Sequence, residues 1–373
     1  MRKLQLSTVF LGGFVGPFAG QSIAVILPNV ASTFDISLEQ AAFTMSVYLF
    51  PFATVMLVST RFVRKFRPRR VILTAYAVTL LGAAGCLLAD TWPQFLMGFL
   101  LLGLANAFTL PVFQVMLHHL SPPERLGSSL GTYAAMQALG LFTAPLISGL
   151  AARVDWQLVY LIVIAAGLWI LLIGVPDIAP PASNENRQQK IMWWPAAIHM
   201  VTCLMIGFSI IGIGILTALS IGDRFGIDEA GTGLVVMCGG LAAFIFARTV
   251  GGLADRYGGK RVLTISCLTG AFAVALLPVV PAPWLVASCW ALAVVSAQGI
   301  QTSINIAVLR APGGNSLIST VQAFRFYGSS FTPVVMLPVY LGAMTWSFWL
   351  PAAGLIGVLA LQLFSPAWRY SRE

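Results

Sequence analysis

The sequence predicts an all-α membrane protein, twelve transmembrane helices arranged as two pseudo-symmetric six-helix bundles. Three observations lead there. Of 373 residues, 58% are hydrophobic and only 9% are charged, whereas a soluble domain carries about 25% charge, so lipid is the solvent. Apolar runs recur from Leu6 to Phe364 at about the 20-residue length that crosses about 30 Å of hydrocarbon. A pattern in the first half also returns in the second.

The first run, 6–30, follows Arg2-Lys3 and resembles a secretory signal, but cleavage would leave an odd set of spans, so it reads as a retained first helix. Runs at 41–60, 71–89, 94–118, 128–152 and 157–175 complete a first bundle, residues 1–175. The Pro-, Asn- and Gln-rich stretch 176–190 reads as a connector, and 191–373 as the second bundle, with runs at 192–218, 232–250, 262–280, 284–309, 316–340 and 344–365. Of the 21 Lys and Arg residues, 18 fall on the face holding the N-terminus, the 61–70 loop, the connector, the 251–261 loop and the C-tail. Only Arg153 and Arg224 lie opposite, and Arg325 falls inside a span. By the positive-inside bias both termini are cytoplasmic, in a multi-pass protein of the cytoplasmic (inner) membrane.

The net charge of +9 sits in short loops and forms no basic groove with interleaved aromatics, which excludes a nucleic-acid partner. Cys86, Cys203, Cys238, Cys267 and Cys289 all fall in apolar runs without metal-ligand spacing, and read as small buried residues. No cofactor or metal is expected, and no span carries a His, Asp and Glu constellation suited to catalysis, so the chain is not read as an enzyme.

Phe34-Asp35-Ile36-Ser37 returns as Phe225-Gly226-Ile227-Asp228, 191 positions on, while Gly140 and Pro145 return as Gly328 and Pro333, 188 positions on. Duplicated halves with a solute site between them are a transporter architecture. The loop Gly251-Gly252-Leu253-Ala254-Asp255-Arg256-Tyr257-Gly258-Gly259-Lys260-Arg261 resembles the G-x-L-A-D-R-x-G-R-[KR] loop of the major facilitator superfamily. In the fifth span, Gly131, Gly140, Ala144-Pro145 and Ser148-Gly149 keep the spacing of that superfamily's antiporter motif, where the Ala and Ser positions are usually Gly. The resemblance implies the major facilitator fold and points to the drug/proton antiporter-like exporters. Physically, the small residues allow close helix approach and Pro145 removes a backbone donor and bends the helix. A rocking interface and ordinary small-residue packing both fit. Asp255 beside Arg256, Lys260 and Arg261 reads either as a charge-assisted latch or as a surface turn. In the first half Arg64 stands where the motif has Asp, so a matching latch is not expected there.

Arg325 lies mid-span, where a charge costs about 2.5–3.5 kcal/mol, and no acidic residue lies clearly mid-span to meet it. Carbonyls, Tyr327, Gln137 at the equivalent place in the fifth span, water or an anionic solute could compensate it. Gln298, Gln301 and Asn305 share one face of the tenth span. Asn106, Thr109 and Gln114 make a similar set in the fourth, with Gln21 in the first and Gln322 near Arg325. Such amides either bond neighbouring helices or line a wet cavity. The exporter resemblance would bring a fourth-span Arg and a membrane carboxylate, but Phe99 occupies the Arg position. His199 reads as an interfacial histidine, and His118 and His119 as loop residues.

The sequence-based expectation is a secondary active transporter, exporting small amphipathic or anionic molecules by alternating access with protons as coupling ion. Uptake of a small anion is the alternative within transport, and a membrane receptor or enzyme the rival from another class. The expected partners are a small-molecule substrate and the lipid bilayer, for a chain acting as a monomer.

Overall fold

The computed structural model describes residues 2–63, 66–120, 126–178, 192–311, 314–364 and 368, and among them every regular element is helical. The chain divides into two compact units, residues 1–185 with 228–237, and residues 186–227 with 238–373. Unit 1 contains α1 (Arg2–Gln21), α2 (Ile23–Thr33), α3 (Leu38–Val63), α4 (Pro68–Leu87), α5 (Trp92–Leu120), α6 (Leu126–Ala151) and α7 (Tyr160–Ile173). Unit 2 contains α8 (Trp193–Ile206), α9 (Ile213–Phe225), α11 (Gly259–Leu276), α12 (Pro283–Arg310), α13 (Gly314–Ala343) and α14 (Trp346–Phe364). The long α10 (Glu229–Tyr257) gives residues 229–237 to unit 1 and the rest to unit 2.

Local chemistry sets the ends. Pro68 and Pro283 open α4 and α12, where a missing N–H costs nothing. Gly226 (φ 61°) ends α9 and Gly258 (φ 85°) separates α10 from α11, in backbone conformations that favour glycine.

Among the described residues ten helical spans are long and apolar enough to cross a membrane, and α1 with α2, bent by 47°, would make an eleventh. The eleventh of the expected runs, 316–340, forms α13, which has 30 residues but is interrupted by Ser319, Gln322, Arg325, Ser329, Ser330 and Thr332, and does not join that apolar set.

Both first helices depart from regular α-helix, unit 1 by a bend and unit 2 by a π-turn within one 33-residue span, which the runs 6–30 and 192–218 do not anticipate. In unit 1 the break falls at Ser22, whose hydroxyl donates to the Ala19 carbonyl at 2.9 Å, a back-bond that competes with the helix ladder. In unit 2 a π-turn, Gly207–Ile211, separates α8 from α9, closed by Gly212 N–H donating to the Gly207 carbonyl at 2.7 Å. Ser22 and Gly212 are 190 positions apart, one short of the 191-position offset that relates Phe34 to Phe225.

The packing repeats as well. A Cβ on Gly140 of α6 would stand 2.5 Å from the Phe14 carbonyl of α1, and one on Gly328 of α13 would overlap the Leu204 carbonyl of α8. The repeat at Gly140 and Gly328 therefore reflects one steric requirement met twice, backbone against backbone.

Candidate functional site

The sequence-marked polar residues of unit 2 form one cluster. Gln301 and Asn305 are one turn apart on α12, and Gln322 and Arg325 one turn apart on α13, so each pair shares a helix face. The faces meet: Gln301 Nε2 donates to Asn305 Oδ1 at 2.9 Å and Gln322 Nε2 to the same oxygen at 3.4 Å. Cys203 of α8 closes the third side, its Sγ 3.8 Å from Gln301 Nε2 and within electrostatic reach of Arg325. The Arg325 guanidinium sits over the Phe326 ring, 4.8 Å from its centroid. Its Nε is buried without a hydrogen-bond partner, and among the described residues no carboxylate pairs with it. Gln298 is half-buried farther along α12, and Tyr327 is half-buried with an edge-to-face contact to Phe324.

The seam beneath this cluster is the broken helix. Ser329 donates to the Gly207 carbonyl at 3.2 Å and Thr332 to the Phe208 carbonyl at 2.9 Å, so hydroxyls of α13 bond the carbonyls of the π-turn. A Cβ on Gly207 would collide with the Arg325 carbonyl, so the π-turn bears directly on the residue carrying the intramembrane charge. Discontinuous helices beside intramembrane polar groups are a recurrent feature of transporter sites.

The unit 1 residues do not behave as one set. Asn106 is 1% exposed and donates through Nδ2 to the Tyr48 hydroxyl at 2.7 Å, which donates to the Gly16 carbonyl at 3.1 Å. Its amide donor thus ties α5 to α3 and α1. Gln114 is exposed, Gln21 is half-buried at the α1–α2 break, and Gln137 is half-buried on α6 one turn before Gly140. Gln137 and Arg325 therefore hold the same register relative to Gly140 and Gly328.

The motif on α6 also meets α10 within unit 1. A Cβ on Gly149 would collide with the Glu229 carbonyl, and one on Gly233 with that of Pro145. The Arg153 guanidinium binds Asp228 beside this seam, at 2.7 Å. That hydrogen-bonded cation, with the Gly231 N–H, holds the exposed Asp228 carboxyl below its usual range. Gly131 lies in α6 as expected, with its surroundings outside the described residues.

At the 251–261 loop, Gly251 and Gly258 have open space where a side chain would stand. Arg256 is exposed over the Tyr257 ring at 5.3 Å, and Arg261 is exposed. The Asp255 side chain, the 64–65 segment and the connector from 179 lie outside the described residues, as do the side chains of His118 and His119. His199, in the second turn of α8, is 3% exposed, with Gln362 approaching its ring nitrogen at 3.3 Å and the Trp368 ring meeting it edge-on. Gln362 also donates to Thr202 at 2.7 Å and accepts from Trp368 Nε1 at 2.9 Å.

Sequence reasoning missed Cys203, Tyr48, Gln362 and the α13 hydroxyls. Each lies in an apolar run and gains its role from a partner far along the chain. The only available signal was Ser329 and Thr332 at i+4 and i+7 from Arg325.

Residues 9–333 match the family model described as Major Facilitator Superfamily. The chain belongs to the major facilitator superfamily. It is a multi-pass membrane protein whose family and curated relatives are transporters rather than enzymes. It is 23% identical over 213 residues to "Multidrug resistance protein 3" of Bacillus subtilis, covering 56% of this chain and 41% of that one. It is also 23% identical over 190 residues to "Efflux pump apf11" of Gibberella fujikuroi, covering 51% and 34%. The chain thus spans less than half the length of these relatives. The fold matches the nucleoside transporter NupG (TM-score 0.79, 12% identity, 97% of this chain and 100% of that one). It likewise matches the peptide transporter POT (TM-score 0.78, 14% identity, 98% and 95%).

Proposed function

We propose that the chain is a secondary active transporter that exports small amphipathic or anionic molecules by alternating access, in exchange for protons. The observation that carries the reading is the α6 motif, in which Gly140 meets the α1 backbone and Gly149 the α10 backbone around the helix-bending Pro145. Relatives named as an efflux pump and a multidrug resistance protein support export. The distribution of Lys and Arg supports a cytoplasmic membrane with both termini inside, and the chain is read as a monomer. For the proton, Asp223 in the last turn of α9 is the carboxylate to test, held by the Tyr340 hydroxyl at 2.6 Å.

The test is solute flux in proteoliposomes under an imposed proton gradient. Gradient-driven movement that Asp223→Asn uncouples is the expected result; absence of any gradient-driven movement across an amphipathic and anionic panel would overturn the reading. Uptake of a small anion is a second reading, favoured by the unpaired Arg325 Nε. Reversing the gradient separates the two directions.

A further inference from the structure

We infer that the cluster on α8, α12 and α13 binds a monocarboxylate, with Arg325 and Asn305 as its donors. The inference rests on reading the chain as a solute transporter and names the class of its solute.

It follows from counting donors against acceptors. The Asn305 oxygen already receives two N–H groups, from Gln301 and Gln322. A carboxamide oxygen has two lone pairs, so its acceptor capacity is spent. The Asn305 NH₂ group still has two N–H donors, and no acceptor for them is found among the described residues. Arg325 adds five N–H donors, with no hydrogen bond to any described residue and with Nε fully buried. The cluster is therefore short of acceptors, and short of negative charge. A neutral acceptor such as water would satisfy some N–H groups and leave the cation uncompensated in a span interior, where compensation matters most. An anion does both.

The charge and shape of that anion follow from the same residues. Arg325 is the cluster's one cation among the described residues. Arg224 is already bonded to the Leu277 and Val280 carbonyls, while Arg248, Arg256, Arg261 and Arg310 are exposed. One cation neutralises one negative charge, so a dianion would carry an unpaired charge into the span. The Phe326 ring beneath the guanidinium occupies one of its faces, leaving the edge for in-plane bonding. A guanidinium edge matches two coplanar oxygens, the geometry of a carboxylate. Cys203 beside Gln301 adds a neutral, soft wall and no competing charge.

The test uses the purified full-length protein in neutral detergent, with thermal unfolding followed at matched ionic strength in benzoate, hexanoate, succinate and benzamide. Benzoate and hexanoate should raise the midpoint, benzamide, the neutral analogue, should not, and succinate should act more weakly. Arg325→Gln should weaken the benzoate effect about tenfold or more, the loss of a charge-assisted bond, and Arg325→Lys should retain more of it than Arg325→Gln. Because a change at Arg325 can impair folding, a second measurement leaves that residue intact. In Asn305→Ala, which keeps Arg325 and removes only the neutral donor, benzoate should raise the midpoint less than in the parent, and benzamide should again leave it unchanged. Stabilisation by benzamide equal to that by benzoate, or an undiminished benzoate effect in a folded Arg325→Gln, would overturn the assignment. So would an Arg325-dependent shift produced by phosphatidylglycerol in nanodiscs and not by benzoate, which would make the ligand a lipid headgroup. Binding is read here without transport. Arg325-dependent benzoate binding in a protein that moves no solute in proteoliposomes would leave the site standing and remove the transporter reading; flux of cations or neutral solutes alone would do the reverse.

Discussion

The Asn106–Tyr48–Gly16 chain separates a structural amide from a solute-facing one by measurement. Asn106 is 1% exposed, its bond to the Tyr48 hydroxyl is 2.7 Å, and that hydroxyl continues to the Gly16 carbonyl at 3.1 Å. Tyr48→Phe removes both links and leaves the Asn106 amide without its Tyr48 partner; Asn106→Ala removes one link. Leaving a buried donor unsatisfied costs about 1–3 kcal/mol, so each variant should be destabilised on that scale. Interhelical bonds in membrane proteins carry about 0.6 kcal/mol on average and up to about 1.7. A bond of this length between fully buried partners should show a coupling energy in the upper part of that range. The assay is a double-mutant cycle on reversible unfolding in mixed micelles, with flux measured in parallel. A coupling energy indistinguishable from zero would refute the reasoning. So would an Asn106→Ala protein of parental stability that has lost transport, because the amide would then act on solute.

Three further outcomes follow from the same coordinates. Gly207→Ala drives a methyl group into the Arg325 carbonyl and should cost about 1–3 kcal/mol, while Gly357→Ala, with open space at its Cβ position, should gain about 0.5–1 kcal/mol of helix propensity; thermal unfolding of the pair checks both signs. Gly149→Val collides with the Glu229 carbonyl and should abolish flux in protein that still reaches the membrane, as read by quantitative blotting against activity. For Arg153 and Asp228, the depressed carboxyl pKa means that the pair stabilises above the unfolded carboxylate range and is lost as pH falls through the lower folded value. The small difference in melting temperature between parent and Arg153→Ala should therefore disappear in acid, and shrink in high salt because both side chains are exposed.

The helices were legible because lipid imposes a length and an apolarity that any span must show locally. The run 128–152 and the helix Leu126–Ala151 nearly coincide for that reason. The breaks were not legible in the same way. Ser22 and the Gly207–Ile211 turn sit inside runs as apolar as their neighbours, and a hydropathy window averages over them. Hydrogen bonds accompany them: a serine back-bond in one case, and hydroxyls from a helix more than a hundred residues away in the other. The buried state of His199 was hidden likewise, since its partners Gln362 and Trp368 lie more than 160 positions on.

The intramembrane amides give the sharper lesson. By residue type, Asn106 with Gln114 and Gln301 with Asn305 are equivalent signals, polar residues in apolar helices. What distinguishes them is which atom of each amide is used. Asn106 spends its donor on Tyr48, and that bond locks three helices. Asn305 spends its acceptor on two neighbouring amides and keeps its donors, one helix away from a guanidinium with a buried, unpaired nitrogen. The internal repeat sharpens the contrast, because Gln137 and Arg325 stand at matching positions before Gly140 and Gly328. The duplicated scaffold thus carries a neutral side chain in one half and a cation in the other, within the same backbone packing.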